Sequence, residues 1–121
     1  MKKDIKPQDK NERKWGSVIH ASAFAGMLFP LALALGPLLV WMLKKHESKY
    51  LDLQGKKAIN FQLTVILISF ACVLLSIIIK PLIAIAFMVG IGGLLFAVMA
   101  AVMVYREGDF EYPFYFKILK N

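Results

Sequence analysis

Three stretches free of Asp, Glu, Lys and Arg decide what this chain can fold into: Val18–Leu43, Phe61–Ile79 and Leu82–Val104, of 26, 19 and 23 residues. About 20 apolar residues in a helix cross the ~30 Å hydrocarbon core of a bilayer. A soluble helical core would show polar faces recurring at helical period, and these runs lack them. With 59% hydrophobic residues in a chain of 121, there is also too little polar surface to cover a water-soluble domain of this size. The expected class is therefore an all-α, polytopic helical membrane protein. It comprises a disordered cytoplasmic tail at 1–14 and a single membrane domain at 15–121, whose last part, 105–121, lies along the interface.

The first run is the ambiguous one. As one straight helix it would be about 39 Å long at 1.5 Å per residue, more than a bilayer needs, and it is much too short for two full crossings. Pro30 and the pair Gly36-Pro37 interrupt its hydrogen-bond ladder. Charge arbitrates. With a single crossing, Lys and Arg divide seven to eight between the two sides, no bias at all. If the run enters and returns, 14 of the 15 basic residues share one side and Lys80 stands alone on the other. The positive-inside rule favours the second arrangement. The expectation is a short broken or re-entrant hairpin with its break at Pro30, Gly36 and Pro37, then a full-length transmembrane hairpin. Both termini are then cytoplasmic, in a bacterial plasma (inner) membrane. Broken backbone at that depth has to be covered by protein or line a wet cavity, and the second hairpin is the available cover.

Trp15 and Trp41 stand where interfacial aromatics sit, as do Tyr112 and Pro113 in the tail. The tail alternates, so Phe110, Tyr112, Phe114, Phe116 and Ile118 fall on one side of an extended chain. The connection between the first two runs reads as a water-exposed helical turn or two that begins after a cap at Asp52 and continues into the membrane. Leu53, Lys56/Lys57, Asn60 and Thr64 follow at helical spacing, and Asn60 and Gln62 enter the membrane with that helix. Polar side chains entering lipid face protein, as interhelical hydrogen bonds or as contacts to a substrate. Gly90, Gly93, Ala97 and Ala101 form a small-residue stripe suited to close helix packing, within the chain or with another copy.

Chemistry is mostly excluded. No Asp or Glu lies inside an apolar run, so paired carboxylates at depth are missing. There is no HExxH, CxxC or phosphate-cradling loop. His20 has no second ligand nearby and reads as an interfacial or hydrogen-bonded residue. Cys72 cannot form an internal disulfide and reads as a packing residue. Ala32-Leu33-Ala34 resembles a signal-peptidase site, but three acidic residues precede the run and hydrophobicity continues past it. The basic residues sit in the tails and the connection, the pattern of orientation signals rather than of a nucleic-acid interface. A non-enzyme without metal or cofactor is expected, partnered by the lipid bilayer and by a membrane protein or a second copy, and not by nucleic acid.

Gly36-Pro37, Trp41, Lys44-Lys45, Gly55-Lys56, Asn60-Phe61-Gln62 and Tyr112-Pro113 together resemble a family of small bacterial membrane proteins of unassigned function. That family is similar to the twenty-kilodalton Tic subunit of the chloroplast inner-envelope translocon. The resemblance implies a helper or subunit of a membrane assembly, linked to protein insertion or translocation. The alternatives are a small oligomeric channel or transporter unit, resting on the small-residue stripe, and a holin-like pore former.

Overall fold

Local capping signals set where the helices start. The computed structural model describes residues 6–27 and 31–119, and these hold four α-helices and no strand. Asp9 is extended and its carboxylate accepts the Glu12 N–H at 2.9 Å, while Glu12 reaches back to the Gln8 N–H at 2.6 Å. This reciprocal cap starts α1 at Lys10, and α1 runs Lys10–Ala21. The boundary expected at residue 14 therefore lies inside a helix, because two cap bonds outweigh the polar composition of the segment.

A tight 3-10 turn, Ser22–Met27, follows, and α2 spans Ala32–Lys44. Pro30 lies outside the described residues. The expected break at Gly36-Pro37 is not there: α2 continues through both. The missing amide at Pro37 removes one bond near the helix start, which the rest of the ladder tolerates. Gly36 serves close approach instead, since a Cβ there would overlap the Ser22 carbonyl.

α3 spans Lys49–Leu75 and is capped by Ser48, whose hydroxyl accepts the Leu51 N–H at 3.0 Å. Asp52 is thus not the cap. It accepts the Trp41 indole N–H at 2.8 Å and pairs with Lys56 at 3.3 Å. α4 spans Leu82–Glu107 and ends at Gly108, whose φ of +90° closes the helix with a bond to the Val104 carbonyl.

The helices pair as two hairpins of unequal reach. α3 and α4 are antiparallel along their length. α1 lies on the C-terminal half of α4, where the Ser17 hydroxyl donates to the Ala101 carbonyl at 2.7 Å. α2 lies on the first half of α3, with the Trp41 ring against Gly55, where any Cβ would collide with it. The consequence is a buried axis. Tyr50, Leu51, Leu53, Gln54, Gly55 and the run from Lys57 to Gln62 are all buried. Its first turn or two, after Asp52, is the part expected to meet water. The short hairpin covers it on one side and the chain's own tail on another, which lysines in the sequence do not announce.

Beyond Val65 the picture inverts. Leu67, Phe70, Leu74, Ile77, Ile78, Phe87, Met88, Ile91 and Leu95 are exposed, Ile78 by 83%. An apolar surface of that extent marks contact with lipid or protein rather than water. Among the described residues, α3 and α4 are the two helices long and apolar enough to cross a membrane.

The glycines separate into tight and loose positions, and this is testable. Gly36→Ala must push the Ser22 backbone, so a loss of about 1–3 kcal/mol is expected. Gly90 has open space around its would-be Cβ. Gly90→Ala is expected to leave stability unchanged or raise it by up to about 1 kcal/mol through helix propensity. Detergent-titrated unfolding of the two variants checks the order.

Candidate functional site: a polar core under the C-terminal tail

Gln54, Lys57, Asn60, Phe61 and Thr64 recur at intervals of three and four, and so share one face of α3. After Gly108 the chain turns back and lays residues 109–119 along that face without helix or strand, bending at Pro113 and Leu119. The Tyr50 hydroxyl holds the turn by donating to the Gly108 carbonyl at 2.7 Å.

Lys57 is the charged centre. Its side chain is 2% exposed, and its ammonium contacts Asp109 at 2.5 Å and Glu111 at 2.6 Å. In an extended chain, residues two apart point the same way, which is why both carboxylates reach one lysine. Each is 40% exposed, so the pair is buried at the lysine and wet at the acids.

A directed chain of hydrogen bonds leads inward from Asp109. The Gln54 amide donates to Asp109 at 3.0 Å, and the Gln54 carbonyl accepts from His20 Nε2 at 2.8 Å. Because that oxygen can only accept, His20 carries its proton on Nε2 and leaves Nδ1 as acceptor. The Tyr112 hydroxyl donates to it at 2.5 Å. Burial pushes the Tyr112 hydroxyl far above the usual phenol range, so it remains a donor. The Tyr112 ring stacks on Phe61 at 4.1 Å. Tyr112 is therefore a core residue, 5% exposed, and not an interfacial anchor. The hydroxyl found a buried partner, which outweighed the headgroup layer. Pro113 beside it is exposed.

Further down α3 the side chains read the tail's main chain. Asn60 donates to the Leu119 carbonyl at 2.9 Å and accepts the Leu119 N–H at 2.7 Å. Thr64 accepts the Phe116 N–H at 2.8 Å while donating to the Asn60 carbonyl. Gln62 turns the other way, donating to the Gly93 carbonyl at 3.1 Å across the α3–α4 interface, and its own carbonyl oxygen has no partner. The expected polar positions thus divide: Asn60 and Thr64 bind the tail, Gln62 bonds between helices, and Lys56 pairs with Asp52 at the surface.

Of the expected packing stripe, Gly93 meets Val65 of α3 and Ala101 meets α1, with Ala97 buried. Gly90 packs on nothing. It borders an apolar cleft of about 770 Å³ between the start of α2 and the exposed apolar halves of α3 and α4. Trp15 and Trp41 are half-buried at the polar end, with Lys44 over the first ring at 3.9 Å and Lys45 over the second at 4.4 Å. Phe110 packs inward, whereas Phe114, Phe116 and Ile118 are exposed, so the tail is not one aromatic face. The sequence reading set Lys57 in a water-exposed turn and missed its burial, and it missed Gln54, Asp109 and Glu111 altogether. A signal existed: two acids at period two followed by a tyrosine, opposite a lysine within a helix bound for lipid. Among the described residues no group of three or more His, Cys, Asp or Glu is placed to hold a metal ion.

Asp109 makes the site pH-sensitive. Partial burial pushes the Asp109 carboxyl up, but hydrogen bonds from Lys57 and Gln54 and the Lys57 charge outweigh it, leaving the group below its ordinary 3.8. A carboxyl depressed in the folded state stabilises the fold above the unfolded value and loses that contribution as pH falls through the folded one. Stability is expected to be flat near neutrality and to fall below about pH 4, with Asp109→Asn flattening the fall. Unfolding midpoints across an acid series check this.

A family model, the magnetosome magnetite crystal formation protein family (MamF/MmsF), matches residues 11–119. No curated protein matches the chain, and no solved structure does. The chain belongs to the magnetosome magnetite crystal formation family, and this overturns the resemblance to a Tic-like family and the link to protein translocation drawn from it. The residues that carried the resemblance have local duties: Gly36 and Gly55 admit neighbours, Trp41 holds Asp52, and Asn60 and Tyr112 hold the tail. Such duties are open to any pair of packed helical hairpins.

Proposed function

We propose that this member of the family is a non-catalytic integral protein of the magnetosome membrane that acts in magnetite crystal formation from within the bilayer. α3 and α4 cross it. The shorter α1–α2 hairpin enters from the polar end and returns to it. The observation that carries the reading is the family match along 11–119 on a chain whose two longest helices expose apolar side chains along half their length.

Charge distribution supports a definite orientation. All eight acidic residues and 14 of the 15 basic ones lie in the tails and in the connection at 44–60, and Lys80 is the lone charge at the far tip. The positive-inside rule then puts both termini and the tail-covered polar core in the cytoplasm. A far side with one charge offers a mineral little ionic surface. The influence on the crystal is therefore exerted through the membrane and through other membrane components, which is the role of an assembly helper. The small-residue stripe favours this over a channel unit, because Gly93, Ala97 and Ala101 are occupied inside the chain.

Expressing the chain in a magnetite-forming bacterium that lacks its own copy tests the proposal. Restored crystal dimensions in electron micrographs, with the protein resisting alkaline carbonate extraction of the magnetosome membrane, are expected. Extraction by carbonate, or crystals unchanged by the protein, would overturn it.

A further inference from the structure

Nearly every contact that holds the tail on α3 is made to features a separate polypeptide could present. Asn60 brackets both the N–H and the C=O of Leu119, and Thr64 takes the N–H of Phe116. These are the bonds a neighbouring β-strand would make, supplied by two side chains of a helix, and they accept any extended main chain. Sequence is read one step earlier. Lys57 takes two carboxylates two residues apart, and Phe61 and His20 take an aromatic ring bearing a donor hydroxyl. We propose that the α3 face from Lys57 to Thr64 is a binding site for an extended acidic–aromatic segment, filled in cis by residues 109–119 and exchangeable with the same segment of a second copy.

Three observations favour exchange over a permanent clasp. Gly108, at φ +90°, is the only described residue with positive φ, and it stands where the tail leaves α4 as a hinge must. Past Tyr112 the tail buries little: Phe114, Phe116 and Ile118 are 56%, 49% and 44% exposed, the profile of a segment that opens before the core does. With the tail in place Lys57, Asn60 and Thr64 are each at most 1% exposed, and its release would uncover an ammonium, an amide and a hydroxyl that the tail now satisfies. Release of one tail therefore calls for another of the same chemistry. A second copy brings Asp109, Glu111 and Tyr112 in register, in the same membrane, where confinement raises its effective concentration. The inference stands apart from the role in crystal formation and fails or holds separately from it.

Carbodiimide coupling reads the occupant directly. The reagent activates the half-exposed Asp109 or Glu111 carboxylate, and the Lys57 amine displaces the urea to leave an amide. Full-length chains, one isotopically light and one heavy, are mixed in detergent, warmed stepwise, reconstituted, coupled and mapped by mass spectrometry. Mixed light–heavy amides between position 57 and positions 109 or 111 are expected to rise from none to the share given by random pairing, at temperatures below unfolding. Amides confined to one isotopic class up to the unfolding temperature would overturn exchange. Absence of any such amide would overturn the site itself.

Discussion

Neutralising Asp109 and Glu111 together, as Asn and Gln, is expected to destabilise the fold by about 3–5 kcal/mol, the usual result of stripping the partners from a buried charge. The Lys57 ammonium is 2% exposed and would face only the Phe110 carbonyl, at 3.3 Å, and two weaker neutral amides. Lys57→Met should be milder, about 1–2 kcal/mol. It removes the buried charge itself and leaves two carboxylates that are each 40% exposed and can turn to water. This asymmetry, larger loss from the wet side of the pair than from the dry side, is the signature of where the desolvation lies. Salt should barely shrink the deficit of the double variant, because a buried lysine is poorly screened. Trp15 and Trp41 flank the polar end and report unfolding in mixed micelles by fluorescence. Equal losses for the two variants, or the reverse order, would place the electrostatic burden on the tail and not on α3.

What could be read beforehand was set by the long-period signals. Three uncharged runs imply helices, and α3 and α4 fall on the second and third of them. A lopsided distribution of charge implies a re-entrant hairpin broken at Gly36-Pro37, which α2, unbroken there, does not support. Two kinds of feature escaped. Helix starts came out wrong at Lys10 and Lys49, where the deciding bonds are local side-chain caps, Asp9 with Glu12 at the first and Ser48 at the second, and Asp52 offered an equally good cap on paper. The second is burial of Lys57. A lysine beside Lys56 in a polar connection reads as water-facing, and nothing near it in sequence says otherwise. Its partners are 52 and 54 residues away, on a tail whose alternation also suits the headgroup layer. Asn60 was legible as a polar residue with a duty, but its use as a bracket for an extended main chain depends on where residue 119 comes to lie.

Single cysteines in a Cys72→Ser background should label in an all-or-none pattern that fixes the orientation. Glu47, Glu107 and Lys80 are exposed, the first two at the polar end and the third at the far tip of the α3–α4 hairpin. Glu47→Cys and Glu107→Cys are expected to react with an impermeant maleimide from the cytoplasmic side alone, and Lys80→Cys from the opposite side alone. A further variant, Lys10→Cys, exposed at the start of α1, tests the fold against positions 47 and 107: α1 ties the two ends together, with Lys44 over Trp15 and Arg13 donating to the Arg106 carbonyl. If position 10 labelled from the side opposite to 47 and 107, the first run would cross the bilayer once and those contacts could not exist. Lys80 tests the role. Should it label from the cytoplasm, with 47 and 107 on the other side, the fold would survive and the polar core would face the mineral. Asp109 and Glu111, each 40% exposed beside a buried lysine, would then be the carboxylates nearest the crystal. The action on magnetite would have to be argued as direct contact. With the expected labelling the far side carries one lysine and an apolar tip, and the effect on the crystal has to pass through the membrane.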